Sequence, residues 1–149
     1  QCQPGLRALA AHPPAAPVEI IVVDDCSSDA SAETLPQIDG LPDFTGGLVG
    51  WNAQQEWEHE DMVGQFRQTL ENIVAVLDSA GARPEHLTRL TWYITDKAEY
   101  LENLRGFGAA YREVIGRHFP TMAVVQVVAL MEDAAKVEIE ATAVIPHAG

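Results

Sequence analysis

The sequence predicts an α+β domain in which two helices pack on one face of a mixed β-sheet. Three observations predict it. Between Asp61 and Ala80, apolar residues recur at every third or fourth position, the period of a helix with one buried face. Around 87–95 and 137–144, apolar and polar residues alternate, as they do on a strand covered on one side only. From residue 44 the segments run strand, helix, strand, helix, strand, strand, an order that leaves the helices on one sheet face. The chain has 149 residues, 47% of them apolar and 21% charged, which suits one soluble domain with a real core.

Composition shifts near residue 40. Five prolines (Pro4, Pro13, Pro14, Pro17 and Pro36) interrupt the first part, and beyond it the pattern becomes regular. The expected organisation is an atypical segment over 1–40 and a folded domain over 41–149. "FTGGLVGW" (44–51) can hold a short strand, with Gly46, Gly47 and Gly50 allowing bulges or close backbone approach. In the first helix, Met62, Phe66, Leu70, Ile73, Val74 and Leu77 share the buried face. Gln65, Gln68, Glu71 and Asp78 share the opposite one, and Gly81 is a natural stop. "LTRLTWYIT" (87–95) places Leu90, Trp92 and Ile94 on one side and Thr91, Tyr93 and Thr95 on the other.

Asp96 is placed to cap a second helix, whose stripe is Tyr100, Leu104, Phe107, Tyr111 and Ile115, with Gly116 near its end. "FPTMAVVQVVAL" (119–130) reads as a turn and an apolar strand. "AAKVEIEATAVI" (134–145) reads as the last strand, with Val137, Ile139, Ala141 and Ala143 pointing one way.

Charge excludes some functions. Lys and Arg number 9 against 22 Asp and Glu, a net charge of −13. Nucleic acid and anionic membrane surfaces, both of which are bound through cationic contacts, are poor partners for such a chain. No apolar run approaches the roughly 20 residues of a membrane span. Residues 1–17 lack the basic start and apolar core of a secretory signal. Cys2 and Cys26 are too few for a disulfide framework and fit a reducing, cytoplasmic setting. The five histidines show no ligand spacing, so no metal site is expected.

Five phrases in register carry a family likeness: "GWN" (50–52), "QFRQTLENIVAVLDSAGA" (65–82), "LTWYITDKAEY" (90–100), "FP" (119–120) and "VEIEATAV" (137–144). Over about residues 43–146 the chain resembles the Rid (YjgF) family of reactive intermediate deaminases. The resemblance implies a chorismate-mutase-like fold, a homotrimer and small-molecule clefts between subunits, with no cofactor or metal. Its best-known members hydrolyse enamines and imines to keto acids and ammonia. That chemistry needs a cation to hold the substrate carboxylate and a second carboxylate to position water or move protons.

Transferred residue by residue, the water-positioning glutamate falls on Glu138. The binding arginine falls on Met122, which cannot pair with a carboxylate. An early asparagine of the second helix falls on Leu104, a frequent glutamine on Leu48, and a serine on Ala123. The aromatic residue of the family's first strand has no counterpart in 1–40. Gly47, Thr121, Met122 and Leu104 are therefore the candidate binding residues, and Glu138 is the candidate catalytic one. The expected function is a Rid-like small-molecule cleft that diverges from standard 2-imino acid deamination, with active deamination through Glu138 as the alternative. Arg67, Arg89, Arg105, Arg112 and Arg117 remain as replacement cations, and Arg117 lies nearest the turn. A ribonuclease role attached to some relatives is disfavoured by the charge.

"VEIIVVDDCSSDASAETL" (18–35) resembles a different family, the nucleotide-binding start of family-2-type glycosyltransferases, with Asp24, Asp25 and Asp29 at the donor-contacting positions. That enzyme type needs a longer α/β domain and a later Asp-x-Asp triplet, which does not occur after residue 40. Nucleotide-sugar binding by residues 18–29 is thus a remote alternative. "VEIIVV" is instead expected either to add an edge strand or to stay loose.

Overall fold

The computed structural model of the chain describes residues 22–23 and 43–145, with 22–23 and 43–45 as backbone. Six strands form one mixed sheet: β1 (Val22–Val23), β2 (Asp43–Thr45), β3 (Leu48–Val49), β4 (Leu87–Ile94), β5 (Thr121–Gln126) and β6 (Val137–Ala143). Among the described residues three α-helices accompany it, α1 (Met62–Ser79), α2 (Lys97–Glu102) and α3 (Leu104–Val114), with a single 3-10 turn at Pro84–His86 leading into β4. β6 lies inside the sheet. It pairs antiparallel with β4 on one side and with β2 and β3 on the other. β4 pairs parallel with β5, which ends the sheet; β1 pairs parallel with β2 at the opposite end. The pairing of Val22 and Val23 is the added edge strand. Asp24, Asp25, Cys26 and Asp29 lie outside the described residues.

The first helix forms as its period requires. Met62, Phe66, Leu70, Ile73 and Leu77 are buried, and the Asp61 carboxylate accepts from the Gly64 N–H at 2.8 Å to cap the first turn. Gly81, at φ +72°, ends it in the left-handed region that glycine adopts without a steric cost. Gln65 departs from the expectation of an exposed face: it is buried. Its Nε2 donates to the carbonyls of His59 and Ala134, and its Oε1 accepts from the Lys136 N–H. These three bonds offset the desolvation of the amide and tie α1 to the segment entering β6.

In β4 Leu90, Trp92 and Ile94 share the buried side as expected, but Thr91 on the other side is buried as well. Leu87 is also buried, out of step with Leu90, because a bulge at Thr88 shifts the register between Leu87↔Ala143 and Arg89↔Thr142. Two expectations are corrected near the edge. The second helix is two helices. Asp96 caps α2 through the N–H groups of Ala98 and Glu99, but the chain breaks at Asn103, whose side chain donates to the Glu99 carbonyl. The last strand before β6 is also shorter than the apolar run. β5 ends at Gln126 because its partner β4 ends at Ile94, whose carbonyl accepts from the Val127 N–H. Val128 and Met131 then stand in solvent.

The core lies between the helices and one face of the sheet. Leu90, Trp92 and Ile94 of β4, and Val137, Ile139, Ala141 and Ala143 of β6, meet Phe66, Leu70 and Ile73 of α1 and Phe107, Ala110 and Tyr111 of α3. Phe66 sits centrally, 4.6 Å from the Trp92 ring and 4.8 Å from the Phe107 ring. The alternate residues, Tyr93, Glu138 and Glu140 among them, face away from the helices.

Candidate functional site

A cleft of about 210 Å³ opens where α2, α3 and β5 meet. Its inner wall is aromatic. Trp92 of β4 and Phe107 and Tyr111 of α3 reach it from the core, and Tyr100 of α2 packs edge-on against Phe107 at 4.9 Å. Phe119, in the turn before β5, stacks on Tyr111 with rings 5.6 Å apart and 13° from parallel. The Tyr111 hydroxyl donates to the His118 carbonyl at 2.8 Å, which fixes that turn against the helix, and burial pushes its pKa up to about 12. Met122 and Leu104 form the outer wall. Met122 faces the helix side because it pairs with Leu90, a core residue. Leu104 is about half exposed rather than part of a buried stripe, since it is the first residue after the break at Asn103.

The second group of candidate residues lies on the other face of the sheet. Glu138 is half-buried on β6, opposite Tyr93 and Val49. A Cβ at Gly47 would overlap its carboxylate, so the missing side chain at 47 is what lets the carboxylate lie against the backbone there. Two further contacts hold this corner on α1. The Asn72 side chain donates to the carbonyls of Val49 and Trp51, and Gly50 lies so close that a Cβ there would approach the Gln65 carbonyl oxygen to 2.5 Å. Next to Glu138, the Tyr93 hydroxyl donates to Glu140 at 3.1 Å. That bond, and then burial, raises the Tyr93 pKa.

The structure therefore brings Met122 and Leu104 together, and Gly47 and Glu138 together, but sets the two pairs on opposite faces of the sheet. Thr121 joins neither: it pairs with Arg89, and neither residue lines the cleft. Of the five arginines, Arg112 and not Arg117 lines the cleft. The reason is helical spacing: Arg112 lies one turn beyond Gly108, and its guanidinium folds back over that glycine, 3.3 Å from where a Cβ would stand. Arg67 is committed elsewhere, in an ion pair of 2.6 Å with Glu113. Among the described residues, no three His, Cys, Asp or Glu side chains gather as a metal site would need, and no helix is long and apolar enough to cross a membrane.

Fold and cleft define a class: a small α+β domain with one helix-covered sheet face and an apolar cleft beside the edge strand. A sequence model described as Endoribonuclease L-PSP matches residues 43–145, and the chain belongs to that family, the Rid (YjgF) family that its five phrases resemble. Protein DfrA of Myxococcus xanthus is 38% identical over 114 residues, covering 72% of this chain and 80% of that protein. The 2-iminobutanoate/2-iminopropanoate deaminase of Salmonella typhimurium is 34% identical over 104 residues, covering 68% and 77%. Among solved structures, Escherichia coli TdcF with bound serine matches with a TM-score of 0.59 at 32% identity, covering 68% of this chain and 79% of that one. The matched span starts at residue 43, so the phrase at 18–35 lies outside it.

Proposed function

We propose that this chain keeps its family's small-molecule cleft but does not carry out standard 2-imino acid deamination. The observation that carries this reading is Met122. It occupies the position where the resemblance puts the carboxylate-binding arginine, and it forms an apolar wall with Leu104, where the resemblance puts an asparagine. A thioether and an isobutyl group offer no charge-assisted hydrogen bond to a small imino acid. In this reading the cleft lies between subunits of a homotrimer in a reducing, cytoplasmic setting. The opposite-face placement of Met122 and Glu138 supports the trimer, since a second chain is needed to bring a Glu138 to a cleft lined by Met122.

The test is ammonia release from a system that generates 2-aminoacrylate. The expected result is release no faster than the uncatalysed background. One observation favours a second reading, that of an active imine or enamine hydrolase: the Glu138 carboxylate is retained, half-buried, in a space that Gly47 leaves for it. Release above background that falls on Glu138→Gln would establish that reading in place of the first.

A further inference from the structure

The arginine whose place Met122 takes has a substitute one helix away. We propose that Arg112 is the anion-binding group of the cleft, and that the ligand class is a monocarboxylic acid with an aromatic or branched apolar body. The proposal rests on the reading that this cleft takes a small molecule.

Three observations carry it. First, Arg112 is the cationic side chain in the cleft lining, and the bare backbone of Gly108 lets its guanidinium lie along α3 beside the opening. Secondly, the guanidinium makes no ion pair or hydrogen bond among the described residues; Arg89, Arg105, Arg117 and Lys97 are likewise outside the three ion pairs, but none of them lines the cleft. A planar fork of donors not engaged by a protein carboxylate is matched to a ligand carboxylate. Thirdly, the ring of Trp92, another wall residue, adds an aromatic surface to the same cleft.

Size and walls fix the rest of the ligand. A cavity of about 150 Å³ holds a benzene ring, so 210 Å³ admits a ring with a short carboxylate-bearing arm. An exposed arginine–carboxylate pair contributes little alone. Affinity must then come from an apolar body set among Phe107, Tyr111 and Met122, and a small imino acid lacks one.

The experiment titrates the whole protein with phenylacetate, its neutral counterpart phenylacetamide, and acetate at constant ionic strength, followed by calorimetry and tryptophan fluorescence. Phenylacetate should bind more tightly than either of the others, by roughly two- to fivefold over the amide, the size of an exposed charge pair. Arg112→Gln should lower phenylacetate affinity to that of the amide and leave amide binding and Tm unchanged, while Arg112→Lys should recover part of the loss. Equal affinity for acid and amide, or an unchanged phenylacetate Kd in Arg112→Gln, overturns the role of Arg112 and leaves the cleft reading standing. Absence of binding by both ring compounds overturns the cleft reading and the proposal together.

Discussion

On β4, Leu90, Trp92 and Ile94 project into a packed core, while Tyr93, between two of them, projects onto a face that no helix covers among the described residues. β6 divides in the same way, with Val137, Ile139 and Ala141 inward and Glu138 and Glu140 outward. The helix-covered face is apolar, aromatic and closely packed, and it holds the cleft. The open face is polar over β4 and β6, with a hydroxyl, two carboxylates and Arg89, and it turns apolar at Ala123 and Val125 on β5. The covered face makes the domain stable, and the cleft lies where that core runs out. The open face presents polar groups without contributing to the helix-packed core. Whatever joins Met122 to Glu138 must come from outside a single sheet.

The sharpest way to break this contrast is to delete one apolar side chain from each face. Phe66→Ala should cost about 3–5 kcal/mol by denaturant unfolding, since it empties the space between Trp92 and Phe107. Val125→Ala on the open face should stay within about 0.5 kcal/mol. Comparable losses would mean that the open face is also packed in solution. A pair of glycines gives the next contrast. Gly50→Ala meets the backbone of Gln65 and should cost about 1–3 kcal/mol. Gly47→Ala meets only the flexible end of Glu138, so its Tm should stay near wild type while the carboxylate is displaced.

Titration offers two smaller tests. Tyr111 has a raised pKa, so its contribution is full below the ordinary tyrosine value of about 10. It is lost as pH rises towards about 12. Tyr111→Phe should therefore flatten the alkaline fall in Tm, at a cost near neutrality of about 1 kcal/mol for the His118 carbonyl left without its donor. The hydrogen bond from Arg67, and then its charge, lower the Glu113 pKa, so that contribution is present above the ordinary glutamate value and lost as pH falls through the lowered one. The pair is exposed, and Glu113→Gln should lower Tm only slightly at neutral pH, with the gap closing in acid.

Much of the covered face was legible in the sequence because periodicity reports burial directly. The stripe from Met62 to Leu77, the inward set on β6 and the Asp96 cap follow from spacing alone. Gln65 was misread because a pattern of apolar positions carries no record of the hydrogen bonds that let an amide be buried. The break at Asn103 and the end of β5 at Gln126 were hidden for a related reason, since both depend on partners distant in sequence. Candidate site residues could be named through the family likeness, but their arrangement could not. Alternation along a strand assigns a side to each residue only relative to its neighbours. The register between β5 and β4 was needed to put Met122 with Leu90, and so on the side away from Glu138.

β5 carries one more consequence. From Thr121 to Gln126 it has no charge and no proline, and its residues are exposed on both faces with one backbone edge unpaired among the described residues. Natural sheets usually guard such a margin with a lysine, a proline or a bulge. Here the gatekeeper is absent, so dissociating an assembly that covers this strand would uncover a template for cross-β stacking. Solubility of the isolated subunit and integrity of its quaternary structure would then be one property, and a lysine in place of Val125 would separate them.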